Sequence, residues 1–418
     1  MAAETIASIV CPHQVVIVVS TDKRTRMLHP IHPLPDSLRG NEKGTFTESS
    51  VLERLPSIAR RTIAENDLGT DCIERVEALA DEIGSGVITV LEEPELDDAP
   101  LWAEYVKSYV GMRWVDVPWF FAETYFYRRL LSATGYSRPG PRCGVDPFAL
   151  QKQAALDGGL PIAAPLAEAV GDIRTLLHAS LWANRADLSL GPLDKDNVKA
   201  QTAAVLNRSD DQLLVDHTEA ALQILNQSGA RIHLVLDNAG TELIADLALA
   251  AAILKRNGSV VIHAKPHPTY VSDVSLPDLE ATIACLTADD SPAPELGVHL
   301  RQAQQDKRLS GSTDHFWTSC LPFWKLPPHL VDELSGADMA IIKGDANYRR
   351  LLGDLHWEAS TPLEDIVRPL QPTLALRTAK AEVAAGVAPE AAEQASSADP
   401  DWLTNGEWGM IQLAAEID

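Results

Sequence analysis

The pair Asp237-Asn238 ends the apolar run Ile232 to Leu236 and is followed at once by Gly240-Thr241-Glu242. Two adjacent oxygen donors at such a place can hold a hard metal ion, or can simply cap and turn the chain into a following helix. Asp273 offers a third oxygen, so the set suits Mg²⁺ or Mn²⁺ better than zinc. Few protein ligands leave positions for water and phosphate oxygens. Four other polar groups follow predicted elements: Asn184-Arg185-Ala-Asp187, Lys343-Gly344-Asp345-Ala-Asn347-Tyr348-Arg349, Arg377-Thr378-Ala-Lys380 and Lys265-Pro-His267-Pro-Thr-Tyr-Val-Ser272-Asp273. A helix cap needs one polar side chain, whereas the second group has four in five residues. Arg349, through its planar fork, and Lys380, as a point charge, can clamp a phosphate or be ordinary solvated cations. His267 between Pro266 and Pro268 reads as a general acid–base or as a packed ring, and His233 as a satisfied core histidine.

These residues need elements to place them. Residues 231–236, 259–264 and 338–343 are short, β-branched and apolar, as buried strands require. Thr373–Leu376 and Trp408–Leu413 read as further strands, and Val15–Ser20 as an edge strand. Thr241–Lys255 has helical spacing and Gly258 as a stop. Helices are also expected over Val51–Ile63, Asp71–Glu82, Leu166–Leu181 and Gln212–Gln227, with Ala385–Asp399 a loose helix or linker. The aromatic-rich block Leu101 to Ala133 is expected to be helical in part and core, with Glu123 either paired to Arg128-Arg129 or facing a cleft. The layout is an α/β protein: an α/β/α three-layer, doubly wound sandwich with a helical N-terminal subdomain. Its expected divisions are an N-terminal extension (1–45), a helical part (46–170) and an α/β metal-binding part (171–418).

Composition narrows the partners. The 418 residues carry a net charge of −24, which argues against a nucleic-acid or anionic-membrane surface. A small phosphorylated ligand remains compatible, since it needs only a local cation cluster. No apolar run approaches ~20 residues, and five scattered cysteines without a CxxC fit a reducing, cytoplasmic setting. No secretory signal and no protein partner are expected. Nucleotide fingerprints, the GxSxG elbow and HExxH are missing. A haloacid-dehalogenase-type phosphatase needs a second Asp two positions after the first, where Ala239 stands.

Taken in order, Leu236-Asp-Asn-Ala-Gly-Thr-Glu-Leu243, Tyr270-Val-Ser-Asp273, Lys343–Arg349 and Arg377-Thr-Ala-Lys380 resemble the damage-control phosphatase family, once a domain-of-unknown-function family. Trp182–Ser189, Val145–Lys152 and Phe316–Ser319 add to the match, and the RTxK motif marks the acidic-residue methyltransferase-like branch. The resemblance covers the chain from about residue 45 onward. It implies a metal-dependent phosphatase of small metabolites such as sugar phosphates, activated by Mn²⁺, Co²⁺ or Ni²⁺. By motif match, Asp237, Asn238 and Asp273 would hold the metal, with Asp237, Asp345 and Lys380 in the catalytic role. Glu242, Asp345, Asn347, Tyr348, Arg349 and Lys380 would contact substrate, with Asn184 and Arg185 nearby. Ala346 stands where the family usually has Leu, which enlarges the pocket wall. The alternatives are a carboxyl methyltransferase using S-adenosylmethionine, recruitment to another small-molecule reaction, and a non-catalytic metabolite-binding protein.

Overall fold

The computed structural model describes residues 29–91, 97–186, 205, 210–368 and 371–415. The expected strand at 15–20, and Asp187, lie outside them. Seven strands form one sheet: β1 (Leu213–Asp216), β2 (Arg231–Val235), β3 (Ser259–Ala264), β4 (Leu309–Thr313), β5 (Met339–Lys343), β6 (Thr373–Thr378) and β7 (Gly409–Ala414). The order across it is β1-β7-β6-β5-β2-β3-β4. Only β6–β7 is antiparallel. From β2 the chain steps out to β3 and β4, then returns to the other flank of β2 as β5 and continues to β6. The direction therefore reverses between β2 and β5, and an open α/β sheet binds its ligands at the carboxyl end of such a switch. Asp237 leaves β2 there, and Gly344-Asp345 leaves β5.

The helices that matter to the site are α1 (Leu55–Glu65), α2 (Thr70–Ser85), α3 (Trp119–Ala133), α4 (Ala149–Gly159), α5 (Ile173–Ala186), α6 (Thr241–Lys255), α7 (Leu276–Thr287), α8 (Pro294–Gln305) and α9 (Asp345–Leu352). Alternate residues of the strands feed two cores. Ile232, Leu234, Val260, Ile262 and Ile341 pack with α4 to α8. Val235, Ile342, Ala375 and Met410 face α1, α2, α3 and α9. From Thr241 to Leu254, α6 is buried all round, which explains its apolar composition on every face. The aromatic block is core as expected: Trp102, Trp114, Trp119, Phe121, Tyr125 and Phe126 are buried. No described helix is long and apolar enough to cross a membrane.

Two helical expectations need correction. Residues 212–227 are not one helix: Leu213, Val215 and Asp216 pair with β7, and the helix spans only Thr218–Leu225. Pairing with a sheet edge outweighs the local helical pattern there. The segment 166–181 also breaks, through a 3-10 turn at Ala169–Gly171, before α5 begins. β4, with the sequence Leu-Ser-Gly-Ser-Thr, has no strand signature; it is an edge strand paired only with β3.

His233 and His263 sit on one face of β2 and β3, with His233 Nδ1 2.8 Å from His263 Nε2. His263 Nδ1 is buried and has no partner among the described residues. Donation from His263 Nε2–H leaves that Nδ1 as a bare lone pair; the opposite tautomer would leave a buried N–H unmet, which costs more. Burial lowers His233 below its ordinary value and takes His263 down to about 3. An unfolded histidine titrates near 6.5, so between pH ~6.5 and ~3 the unfolded chain binds the extra proton. Stability is therefore expected to fall as pH is lowered through that window. The slope of melting temperature against pH should be shallower in His263→Gln; an equal slope would contradict the assignment.

Candidate active site

The loops after β2, β3, β5 and β6 converge with the helical layer around a cavity of about 180 Å³. Asp237, Asn238, Asp273, Asp345, Ala346, Arg349 and Lys380 line it from the sheet side, and Phe46, Arg54, Trp119, Glu123, Tyr270 and Ser272 complete the wall. The β3 loop is locked to the β2 loop by an isolated Asn238–Asp273 bridge, by Val274 N–H to Asp237 O at 2.8 Å and by Ala239 N–H to Ser272 O at 2.7 Å. This pairing brings the Asp-Asn pair and Asp273 together.

Asp237 and Asp273 are 5% and 1% exposed. Burial raises Asp237 well above the usual carboxylate range, and the neighbouring charges of Glu242 and Asp273 push the same way. Burial also raises Asp273, against the opposing pull of Lys265. Lys265 Nζ is 3.4 Å from Asp273 Oδ2 and donates to Asn347 Oδ1 at 3.0 Å. Asp273 Oδ2 has no hydrogen-bond partner among the described residues. A buried carboxylate oxygen with no contact closer than that 3.4 Å ion pair, near a second buried carboxylate, is donor chemistry that suits a hard divalent cation. The Asn238 amide donates to Asp237 Oδ2 (2.7 Å) and Glu242 Oε2 (2.8 Å), while its carbonyl accepts from Ser272 Oγ at 2.6 Å. Ligation of a cation beside Asp237 through Asn238 requires that amide to turn over.

Asn184 ties the two halves. Its Nδ2 donates to Asp237 Oδ2 at 3.1 Å and to Glu242 Oε2 at 2.7 Å. Its Oδ1 accepts from Thr378 Oγ1 at 2.7 Å and from the Lys380 ammonium. Donors on one side and acceptors on the other fix the amide orientation. Behind it, Lys343 Nζ lies 3.2 Å from both Glu242 Oε1 and Asp246 Oδ1. That buried ion triad anchors Glu242 from below. Asp345 Oδ1 accepts from Arg377 Nε at 2.8 Å and from Lys380 N–H at 3.1 Å, which aims the carboxylate and the Lys380 backbone at one another.

The remaining expected residues are placed differently. Arg349 lines the cavity, but its Nε and one terminal nitrogen grip Asp354 (2.8 and 3.1 Å) and the other holds Glu123 (2.6 Å). Its guanidinium lies 3.5 Å from the Trp119 ring centre. Asn347 points into the framework, donating to Leu236 O and Lys343 O. The Tyr348 hydroxyl donates to Gln412 Oε1 at 2.8 Å. Arg185 pairs with Glu407. Glu123 does face the cavity; its partners are Arg54 and Arg349, while Arg128 takes Asp98 and Arg129 takes Glu82. Sequence reasoning missed Phe46, Arg54 and Trp119 as parts of the site, and marked Lys265 only as the start of a polar segment without giving it a role. Trp119 and Glu123 share a helix face at i and i+4, the one signal that could have joined them.

Residues 50–395 match the family model for the damage-control phosphatase ARMT1-like domain. The chain is 30% identical to damage-control phosphatase ARMT1 of Xenopus tropicalis, over 92% of this chain and 99% of that protein. It is 29% identical to the Danio rerio protein of the same name, over 91% and 97%. Among solved structures, a DUF89 family protein from Pyrococcus horikoshii superposes with a TM-score of 0.50 at 16% identity, covering 80% of this chain and 92% of that one. At that identity the likeness shows the fold.

Proposed function

Since the chain belongs to the ARMT1-like damage-control phosphatase family, we propose that it hydrolyses phosphomonoesters of small metabolites, sugar phosphates among them, with a divalent cation held by Asp237, Asn238 and Asp273. The observation that carries this reading is the meeting of two buried carboxylates and the Lys380 ammonium on one small cavity at the sheet's switch point. A cation bound there supplies Lewis-acid polarisation of a phosphoryl oxygen and a more acidic water. Mn²⁺ is our first choice and Mg²⁺ is compatible, because every donor is oxygen; Co²⁺ and Ni²⁺ are the further candidates that the family resemblance brings.

The chain's own groups do the rest. Lys380, steadied by Asn184, offsets charge that develops on the phosphoryl oxygens. Asp345, held by Arg377, orients the attacking water or takes its proton. Glu242 and Asn184 position Asp237 rather than touch the reacting atoms. Arg349, with two carboxylates on its fork, shapes the wall and contributes little free charge. Phe46 and Trp119 give the part of the substrate away from the phosphate an apolar face.

A screen of small phosphomonoesters tests this. Turnover is expected with Mn²⁺, lost on chelation and restored by excess Mn²⁺. Undiminished hydrolysis in chelator would remove the cation from the reading.

A further inference from the structure

The histidine that the site leaves unused belongs to a second cluster at the same end of the sheet. Asp98 stands at the entry to a short helix of the helical layer, His267 lies in the loop after β3, and His315 follows β4. One ring nitrogen from each histidine and a carboxylate oxygen of Asp98 all lie within 4.8 Å of one another. Asp98 and His267 are 1% and 6% exposed. His267 Nδ1 is 3.2 Å from Pro268 O and donates to it, which leaves Nε2 as the nitrogen that faces Asp98. That Nε2 sits 3.4 Å from Asp98 Oδ2, an ion-pair distance, and has no partner besides it among the described residues. His315 Nδ1 is likewise buried without a partner. Arg128 Nε reaches both Asp98 oxygens, at 3.1 and 3.0 Å, and fixes the carboxylate as an outer partner fixes a metal ligand. The grouping of His233, His263 and Glu333 differs, because one nitrogen of each imidazole is already taken up by the other ring at 2.8 Å.

We propose that Asp98, His267 and His315 form a second divalent-cation site, separate from the phosphatase cavity and selective for a borderline ion of the zinc class. Two imidazoles and one carboxylate suit zinc or cobalt, whereas the all-oxygen set at Asp237 suits manganese or magnesium. A tetrahedral ion at about 2.0–2.1 Å sets its ligands roughly 3.4 Å apart, the spacing at which Asp98 Oδ2 and His267 Nε2 already stand. The ion ties the helical layer to the ends of β3 and β4. The 265–275 loop it pins also carries Lys265 and Asp273, which makes it a structural clamp on one wall of the phosphatase cavity.

The full-length chain, titrated with Co²⁺ and separately dialysed against Zn²⁺, tests the proposal without reference to turnover. The wild type should develop the visible absorption of nitrogen-ligated cobalt, and Zn²⁺ should raise its melting temperature. Asp237→Asn should keep both responses. His315→Ala, altered at the least buried of the three ligands, should lose both and bind more than about 100-fold more weakly. His267→Ala should match it where it folds. Equal cobalt spectra and zinc stoichiometry in the wild type and His315→Ala would overturn the site. So would a cobalt spectrum that vanishes only in Asp237→Asn. Failure of the phosphatase reading leaves all of these outcomes unaffected.

Discussion

Asp237→Asn is expected to lower phosphatase turnover by about 10³-fold or more while raising the melting temperature of the metal-free protein by about 1–3 °C. The two effects share one cause. Asp237, Glu242 and Asp273 are three carboxylates in one buried space, and Asp237 is raised by burial and by the other two. A carboxyl raised above its unfolded value near 3.9 destabilises the native state once pH exceeds that value, because the unfolded chain then ionises more readily. At neutral pH the neutral isostere removes this repulsion. It keeps one carbonyl oxygen to accept from Asn184 and Asn238, whose amides now meet Asp237 Oδ2. The ionic ligand is what disappears, so weaker Mn²⁺ binding should accompany the loss of turnover. Sites that hold like charges together for catalysis give up stability in this way. Activity within a few-fold of wild type would remove Asp237 from the chemistry. A lower melting temperature with activity lost would show that hydrogen bonding to the carboxylate outweighs the repulsion.

The half of the site that was legible in the sequence lies directly after strands. Asp237, Asp345 and Lys380 follow β2, β5 and β6, and parallel strands deliver whatever follows them to one edge. Their apolar, β-branched runs made those strands readable. β1 was hidden because four residues, Leu-Leu-Val-Asp, gain strand identity only from β7, nearly two hundred residues away in sequence. β4 was hidden because an edge strand of Ser, Gly and Thr buries too little to show a pattern. The helical wall was hidden for the same reason on a larger scale. Glu123 meets Arg349 across 226 residues, and no local spacing announces that contact. Arg349 therefore reads as a free phosphate clamp until Glu123 and Asp354 are seen on its fork. Breaking that buried network costs about 3–5 kcal/mol, a fold-level role that sequence alone could not separate from a catalytic one.

Gly344→Ala is expected to approach Asp237→Asn in lost activity, although it removes no functional group. Gly344 has φ +82°, where an L side chain is strained. A β-carbon there would also stand 1.9 Å from Asp237 Oδ2 and 2.1 Å from Asp237 Cγ. The clash cannot be relieved by a flexible tip, because the Asp237 carboxylate is held by Asn184 and Asn238 and its backbone by Val274. Either the Asp237 carboxylate swings away from Asp273, or the turn carrying Asp345 retreats from Asp237. Both outcomes misplace a ligand or a base by about 1 Å, and misplacement of that size costs about 10²-fold in rate. Unlike Asp237→Asn, this variant keeps all three carboxylates, so its melting temperature should fall rather than rise. Gly353→Ala supplies the contrast: its added carbon would strike Trp324 at 2.1 Å, and neither residue lines the cavity. It should destabilise without changing kcat in the protein that remains folded. If Gly344→Ala behaves like Gly353→Ala, with lower stability and unchanged kcat and Mn²⁺ affinity, then the contact between the β2 and β5 turns does not set the position of Asp237.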